Sequence, residues 1–319
     1  VLSLAACGNS GGGNGGSATT PAPNSGASTP APAPEGNGGG DKIELSVIAA
    51  EYGQNTKQWW ADFQDEFNKT YDNINLTVEV ISWNDIKTVV RTRISGNAAP
   101  DLLNIDGFAD YQADDLLLPA QDYISEETYA KFYEAFLDQS VVDGTVWAIP
   151  DLASARAMYY NVDILEAAGV DKVPTTWDEL KAACEKIKAY DSSIYPWGID
   201  MTTDEGQAAF AYYIWNNGGD FTDADGNWTL NSPENVEAIE YAVSLVNEGL
   251  TNTDPANETR YNLQDLFGAG KVAMMIGPNS IPTYIADNYA KANTPEDEQI
   301  NYAFAAIPTN EGKPSVSAG

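Results

Sequence analysis

Apolar residues alternate along IELSVIA (43–49), with Ile43, Leu45 and Val47 on one side, the period-two pattern of a strand. Trp59, Trp60, Phe63 and Phe67 follow at helical spacing. They predict a helix with its rings on one side and at least one of the two tryptophans in the core. NLTVEVI (75–81) returns to strand alternation through Leu76, Val78 and Val80. Ile86, Val89, Val90 and Ile94 mark a second helix, and DLLNI (101–105) reads as a short buried strand. Strands alternating with helices predict a parallel sheet covered on both faces.

The pattern restarts after about residue 143. TVWAIP (145–150) and RAMYY (156–160) read as strands, as do VAMMI (272–276) and YAFAAIP (302–308). Thr176 is placed to cap a helix, with Glu179 closing a capping box. Ser232 and Pro233 start another helix, with Val236, Ile239, Val243 and Val246 at helical spacing and Gly249 as its stop. In TWDELKAACEKI, Cys184 follows Leu180 by four positions and precedes Ile187 by three, which predicts a buried, inert thiol on the apolar face. The result is an α/β chain of two lobes without an internal repeat, divided as 42–142 and 143–316. Residues 8–41 hold Gly, Ser, Thr, Pro, Ala and Asn with almost no charge and no large apolar side chain. Such a segment cannot bury enough surface to order itself and reads as a linker, with a root-mean-square reach of roughly 30 Å.

Among 319 residues, 47 acidic side chains stand against 16 basic ones, a net charge of −31. That argues against nucleic acid and against an anionic membrane surface as direct partners; an acidic, solvated surface is expected. There is no histidine, which removes Ser-His-Asp and Cys-His catalysis and histidine-ligated metal sites. No metal and no cofactor is expected. Cys7 and Cys184 do not make a disulfide framework. GAGKV (268–272) lacks the first Gly and the Ser/Thr of a P-loop and reads as a turn into a strand. DADGN (223–227) has Phe221 and Ser232 where an EF-hand needs ligands and reads as a hairpin turn.

Leu4-Ala5-Ala6-Cys7 resembles a bacterial lipobox, in which cleavage precedes a cysteine whose sulfur carries a diacylglycerol. Residues 1–7 then read as the end of a signal peptide with its lipidation site at Cys7. Two acyl chains anchor stably where one is marginal. That places the protein on the extracellular face of the bacterial cytoplasmic membrane, with residues 8–41 as the tether. Further along, Asp143-Gly144, Ile149-Pro150, Tyr159-Tyr160-Asn161-x-Asp163, Ala168-Gly169, Pro174 and Thr176-Trp177-Asp178-Glu179-Leu180 occur in series. Asn217-Gly218-Gly219, Asn231-Ser232-Pro233-Glu234 and Gly270-Lys271-Val272-Ala273-Met274 follow. In order and spacing this series resembles family 1 extracellular solute-binding proteins, the sugar-binding components of ABC importers. The resemblance implies a two-lobed, periplasmic-binding-protein-like fold of type II whose chain crosses a hinge more than once, first near Val141 to Gly144. It also implies that residues 317–319 begin the return to the first lobe, and that the C-terminal portion of the fold is missing from this sequence.

Open α/β sheets bind ligands at the carboxyl ends of their strands. That selects Glu51, Tyr52 and Asn55 after the first strand, Asp106 and Phe108 after DLLNI, and Asp151, Ser154 and Arg156 after Ile149-Pro150. The resemblance adds Asp204 and Glu205 in a turn, Trp215 at the end of a helix, and Asn279 in a loop where many family members carry a stacking Trp. Sugar hydroxyls pair with planar carboxylate, amide and guanidinium groups, and the C–H faces of the rings need an aromatic plane. Structural roles stay open for several of these. Tyr52 and Trp215 also suit a core or lobe interface, Arg156 a pair with Asp151, and Glu51 and Asp106 the surface. The expectation is a monomeric receptor that closes on a carbohydrate, an oligosaccharide for choice, and delivers it to an ABC permease without chemistry. Alternatives are a receptor for a peptide, polyamine or anion, and a surface glycosidase working through paired carboxylates.

Overall fold

Strand β1 (Ile43–Ala50) is buried over its last four residues, Val47 to Ala50, and pairs in parallel on both of its edges. Helix α1 (Thr56–Thr70) leads to β2 (Ile74–Ile81), and α2 (Ile86–Ser95) leads to β3 (Leu102–Asn104). The sheet order is β2-β1-β3, in register from Ile43 opposite Ile74 to Ala50 opposite Ile81, with Val47 opposite Leu102. Ile86 and Val90 of α2 are buried against Ile48, Ala50 and Ile81, so the second predicted helix forms the core its spacing implied. The computed structural model describes residues 42–53, 55–202, 205–289 and 300–316. The expectations for Cys7, the linker 8–41, Asp204 and residues 317–319 lie outside the described residues.

Two expectations for this sheet are corrected. Helix α1 buries none of its residues; Trp59 is 58% and Phe63 40% exposed, and Trp60 is half-buried. Its rings pack on one another instead. Trp59 stacks on Phe63 with centroids 5.5 Å apart, and Trp60 meets Trp59 edge-on at 4.9 Å. Strand β3 is not buried either: Leu102 is 56% exposed, because among the described residues β3 pairs only with β1.

A run of short helical turns between 109 and 140 leads to a two-stranded hairpin, β4 (Val141–Val142) and β5 (Thr145–Val146). Its turn residues Asp143 and Gly144 both have positive φ, 51° and 77°. This is the mirror-image turn whose twist suits a tight hairpin, and Asp-Gly is one of the dipeptides that tolerates it. Of the predicted strand TVWAIP only Thr145 and Val146 pair; residues 147–155 run on without regular structure.

The second sheet is mixed. It contains β6 (Arg156–Asn161), β7 (Tyr195–Gly198), β8 (Val272–Pro278) and β9 (Tyr302–Ala305), in the order β7-β8-β6-β9. β7 and β8 are parallel, whereas β6 runs antiparallel to both of its neighbours. Around it lie α3 (Val162–Ala167), α4 (Trp177–Tyr190), α5 (Gly206–Trp215), α6 (Pro233–Asn247), α7 (Arg260–Gly268) and α8 (Ile281–Asn288). Met158 and Met274 of the sheet, Leu180, Cys184 and Ile187 of α4, and Ala238 and Leu245 of α6 share one core. Cys184 has no exposed surface, and burial pushes its thiol far above the ordinary range, as expected of an inert thiol.

Thr176 caps α4 by accepting from the Glu179 amide at 3.2 Å. The predicted capping box does not close there. The Glu179 carboxylate reaches one residue further back, to the Thr175 amide and hydroxyl at 2.8 Å each, and also accepts from Lys172 Nζ. Ser232 caps α6, and Gly249, at φ 68°, follows its end. The helix forms as its spacing predicts; Asn235, Ala238, Ala242 and Leu245 point inward, while Val236 and Val243 are 45% and 49% exposed. Residues 223–227 form the expected hairpin turn, bridged from Thr222 to Trp228, and Gly270 turns the chain into β8. No described helix is long and apolar enough to cross a membrane.

Candidate functional site

The carboxyl ends of strands from both sheets open onto one cleft of about 1350 Å³. Tyr52 stands two residues beyond β1; Asn104 ends β3, and Asp106 and Phe108 follow it. From the other side come Asp151 and Ser154 of the irregular 147–155 segment, Arg156 at the start of β6, Glu205 just ahead of α5, Trp215 at the end of α5, and Asn279 after β8. Nine expected residues therefore line one surface: Tyr52, Asp106, Phe108, Asp151, Ser154, Arg156, Glu205, Trp215 and Asn279. Glu51 and Asn55 do not line it. The Glu51 carboxylate turns to Lys57, 2.9 Å away, and Asn55 takes the N-cap position of α1, where its carbonyl accepts from the Trp59 amide.

An ionic group forms the floor. Glu205 Oε1 accepts from Arg156 Nη2 at 3.1 Å and from Arg260 Nε at 2.6 Å. All three side chains are largely buried, at 14%, 17% and 13% exposed. Arg156 Nη1 also donates to Ser154 Oγ at 2.6 Å, which fixes the guanidinium plane. Two guanidinium groups converge on one carboxylate, and their planar forks are held before any ligand arrives. Behind it a chamber of about 40 Å³ is lined by Asp200, Trp197 and Tyr213. Asp200 is 7% exposed; its Oδ1 accepts from the Thr202 amide. Burial raises its carboxyl above the usual range, and the nearby Glu205 charge adds to the effect.

The open alternative for Arg156 resolves toward Glu205 rather than Asp151. Asp151 Oδ2 instead accepts from Asn104 Nδ2 at 2.8 Å, joining the end of β3 to the 147–155 segment. Asp106 lies 3.3 Å from Lys87 and stays half-exposed. Tyr52 packs edge-on against Trp83 with centroids 5.4 Å apart, and its hydroxyl is pushed up to about 12 by burial first and by Asp151 and Asp106 after it. It therefore stays protonated and able to donate across the ordinary pH range. Trp215 is half-buried, with Nε1 donating to Asp220 Oδ1 at 3.0 Å. With Tyr52, Trp83, Phe108, Trp147 and Tyr212 it supplies aromatic planes, although position 279 itself holds an exposed Asn. Asn104 was missed in the sequence although it lies in a predicted strand, and it ends the strand observed. Arg260 was missed because nothing local links it to a partner 55 positions earlier. Among the described residues no group of three or more Cys, Asp and Glu side chains is arranged to hold a metal ion.

The sequence profile described as bacterial extracellular solute-binding protein matches residues 49–319. The chain belongs to this family. This solute-binding protein is 32% identical over 270 residues to a binding protein of Brucella abortus (strain 2308), an alignment covering 84% of this chain and 64% of that one. It thus spans less than two thirds of that relative's length. It is 33% identical over 156 residues to an arabinooligosaccharide-binding protein of Halalkalibacterium halodurans, covering 48% and 34% of the two chains. Its fold is that of a Thermotoga lettingae ABC transporter solute-binding protein solved with α-D-tagatose, with a TM-score of 0.74, 21% identity, and coverage of 87% and 71%. A Listeria monocytogenes ABC substrate-binding protein in complex with cycloalternan gives a TM-score of 0.69 at 24% identity, with coverage of 86% and 68%. The solute-binding protein therefore has the two-lobed, periplasmic-binding-protein-like α/β fold, and its cleft lies where the strand ends of the two sheets face each other.

Proposed function

We propose that the cleft captures a carbohydrate, an oligosaccharide by its size, and that the protein delivers it to the permease of an ABC importer. The lining carries the reading: pre-set guanidinium and carboxylate forks lie beside several aromatic planes in a cavity of about 1350 Å³. Sugars present that same pairing of hydroxyls and apolar ring faces. The names of relatives point the same way, one binding arabinooligosaccharides and others solved with maltose and laminaribiose. The lobes are taken as residues 42–142 and 143–316, with the turn at Asp143-Gly144 at the first crossing. Closure follows from tighter binding to the closed form than to the open one. We take the protein to be a monomer held to the extracellular face of the membrane by a lipid on Cys7.

Catalysis is not part of this reading. The buried carboxylate of the cleft, Glu205, is occupied by two guanidinium groups rather than positioned to protonate a glycosidic oxygen. A second reading rests on the acidic rim, where Asp101, Asp106 and Asp151 also line the cleft and would suit a polyamine. Titration calorimetry with arabino-, malto-, laminari- and xylo-oligosaccharides beside spermidine decides between them. Saturable binding of one sugar series, recovered uncut by chromatography, is the expected result. Binding of spermidine alone, or cleavage of the sugar, overturns it.

A further inference from the structure

Besides the Asn104–Asp151 bond, a hydrogen bond runs from an element packed on the second sheet to the end of β1 in the first. The Tyr261 hydroxyl, in the first turn of α7, donates to the Glu51 carbonyl at 3.2 Å. Glu51 is the residue after β1 in the first sheet, whereas α7 packs on β8 in the second. The acceptor is main chain at a strand end, so no side-chain rearrangement on that side can substitute for it. Beside a ring contact with Tyr284 at 6.3 Å, the donor also touches the cleft floor. The Arg260 guanidinium carbon sits 4.5 Å from the centroid of the Tyr261 ring, and Arg260 Nε holds Glu205 at 2.6 Å. The ring thus rests against the cation that holds the floor, and its hydroxyl reaches the opposite wall.

We propose that Tyr261 is a positioning residue for capture, its hydroxyl latching the two lobes through the Glu51 carbonyl and coupling closure to the Arg260–Glu205–Arg156 floor. A ligand that engages the floor steadies Arg260, and through it the ring, in the orientation that makes the latch. Separation of the lobes breaks the bond. The coupling rests on the capture reading above; the latch itself does not need a sugar, so the two can fail separately.

The test is double electron–electron resonance on the full chain carrying Cys7→Ser, with nitroxides at Lys69→Cys of α1 and Glu240→Cys of α6. Both positions are exposed, and buried Cys184 stays unlabelled. Without ligand, the parent protein should show a population at the separation seen in this structure. Tyr261→Phe keeps the ring over Arg260 and removes only the hydroxyl. It should lower the ratio of short- to long-distance populations by about two- to tenfold, the value of one net hydrogen bond, with an unchanged melting temperature. A parent that shows only the long distance, or a variant whose distribution superimposes on the parent's, overturns the proposal. Maltose and laminaribiose added to the parent separate the readings. If they leave its distances and heat signal unchanged while Tyr261→Phe shifts the ligand-free distribution, the latch stands and these sugars are not the cargo. If they shift the parent and Tyr261→Phe behaves identically, capture stands and the latch falls.

Discussion

Arg156 and Arg260 share one oxygen of Glu205, at 3.1 and 2.6 Å, with all three groups mostly out of water. A carboxylate between two cations is what allows both guanidinium groups to stay near the same buried spot. Replacing Glu205 by Ala removes the carboxylate that the two guanidinium groups share. The expected loss of stability is about 2–3 kcal/mol, below the range for fully buried pairs because each group keeps some exposure. Glu205→Gln keeps the shape and loses the charge, and should fall between Ala and the parent. Urea denaturation of the three proteins checks the order.

Trp215 keeps its Nε1 on Asp220 and lies edge-on to Phe221 at 5.9 Å, so its ring is held still where it lines the cleft. A fixed ring loses little entropy when a sugar face settles on it. Trp215→Phe, which keeps part of the packing, should weaken binding of the oligosaccharide identified by calorimetry by about 1 kcal/mol, roughly fivefold. Unchanged affinity would mean that the sugar sits on another of the cleft's rings.

Local physics was legible along the chain, and non-local pairing was not. Strand β2 declared itself because period-two alternation reports a pleated surface with unlike faces, and Thr176 and Ser232 because a cap acts within three residues; β1 is a strand too, but from Val47 to Ala50 it is buried on both faces. The inner face of α6 was not legible from the spacing of its large apolar residues. Ala238 and Ala242 allow close approach, so they face the core while Val236 and Val243 face water. The helical spacing of Trp59, Trp60 and Phe63 says that they share a side of α1, not what covers that side. The strand-end rule brought Tyr52 and Asp106 to the cleft, since topology determines where strands point; Asp151 and Arg156 line it too, but from an irregular segment and from the amino end of β6 rather than from the strand end that the sequence predicted. It could not supply Arg260, which enters from a helix start, nor foresee that Glu51, also at a strand end, would turn its side chain to Lys57.

Acid should reveal the bonds that hold Glu179. Its carboxyl is lowered from 4.5 to about 2, first by the hydrogen bond from Lys172 and then by those from the Thr175 amide and hydroxyl. A folded-state value below the unfolded one means that the unfolded chain binds the extra proton, so this contribution is present above pH 4.5 and is lost as pH falls toward 2. Glu179→Gln removes that dependence. Denaturant midpoints of the parent and the variant should converge as pH is lowered through this window. A constant gap would assign the carboxylate no linked role.

Gly219 offers the sharpest test of packing. A Cβ built there would lie 2.0 Å from Asn235 Oδ1 and 3.2 Å from the Ile214 carbonyl oxygen. Asn235 cannot retreat cheaply: it is buried, and its Nδ2 donates to the Asp220 carbonyl at 2.8 Å and the Thr229 carbonyl at 2.9 Å, tying α6 to the hairpin before it. An alanine must therefore either break those bonds or shift the backbone after α5, displacing the end of the helix that carries Trp215. Gly219→Ala should cost about 1–3 kcal/mol, the usual penalty for forcing an extra methyl into a packed interior. Gly107→Ala is the matched control, since a Cβ there meets nothing within 4 Å. Thermal unfolding of both variants checks the difference; equal midpoints would mean that the Asn235 contact yields without loss.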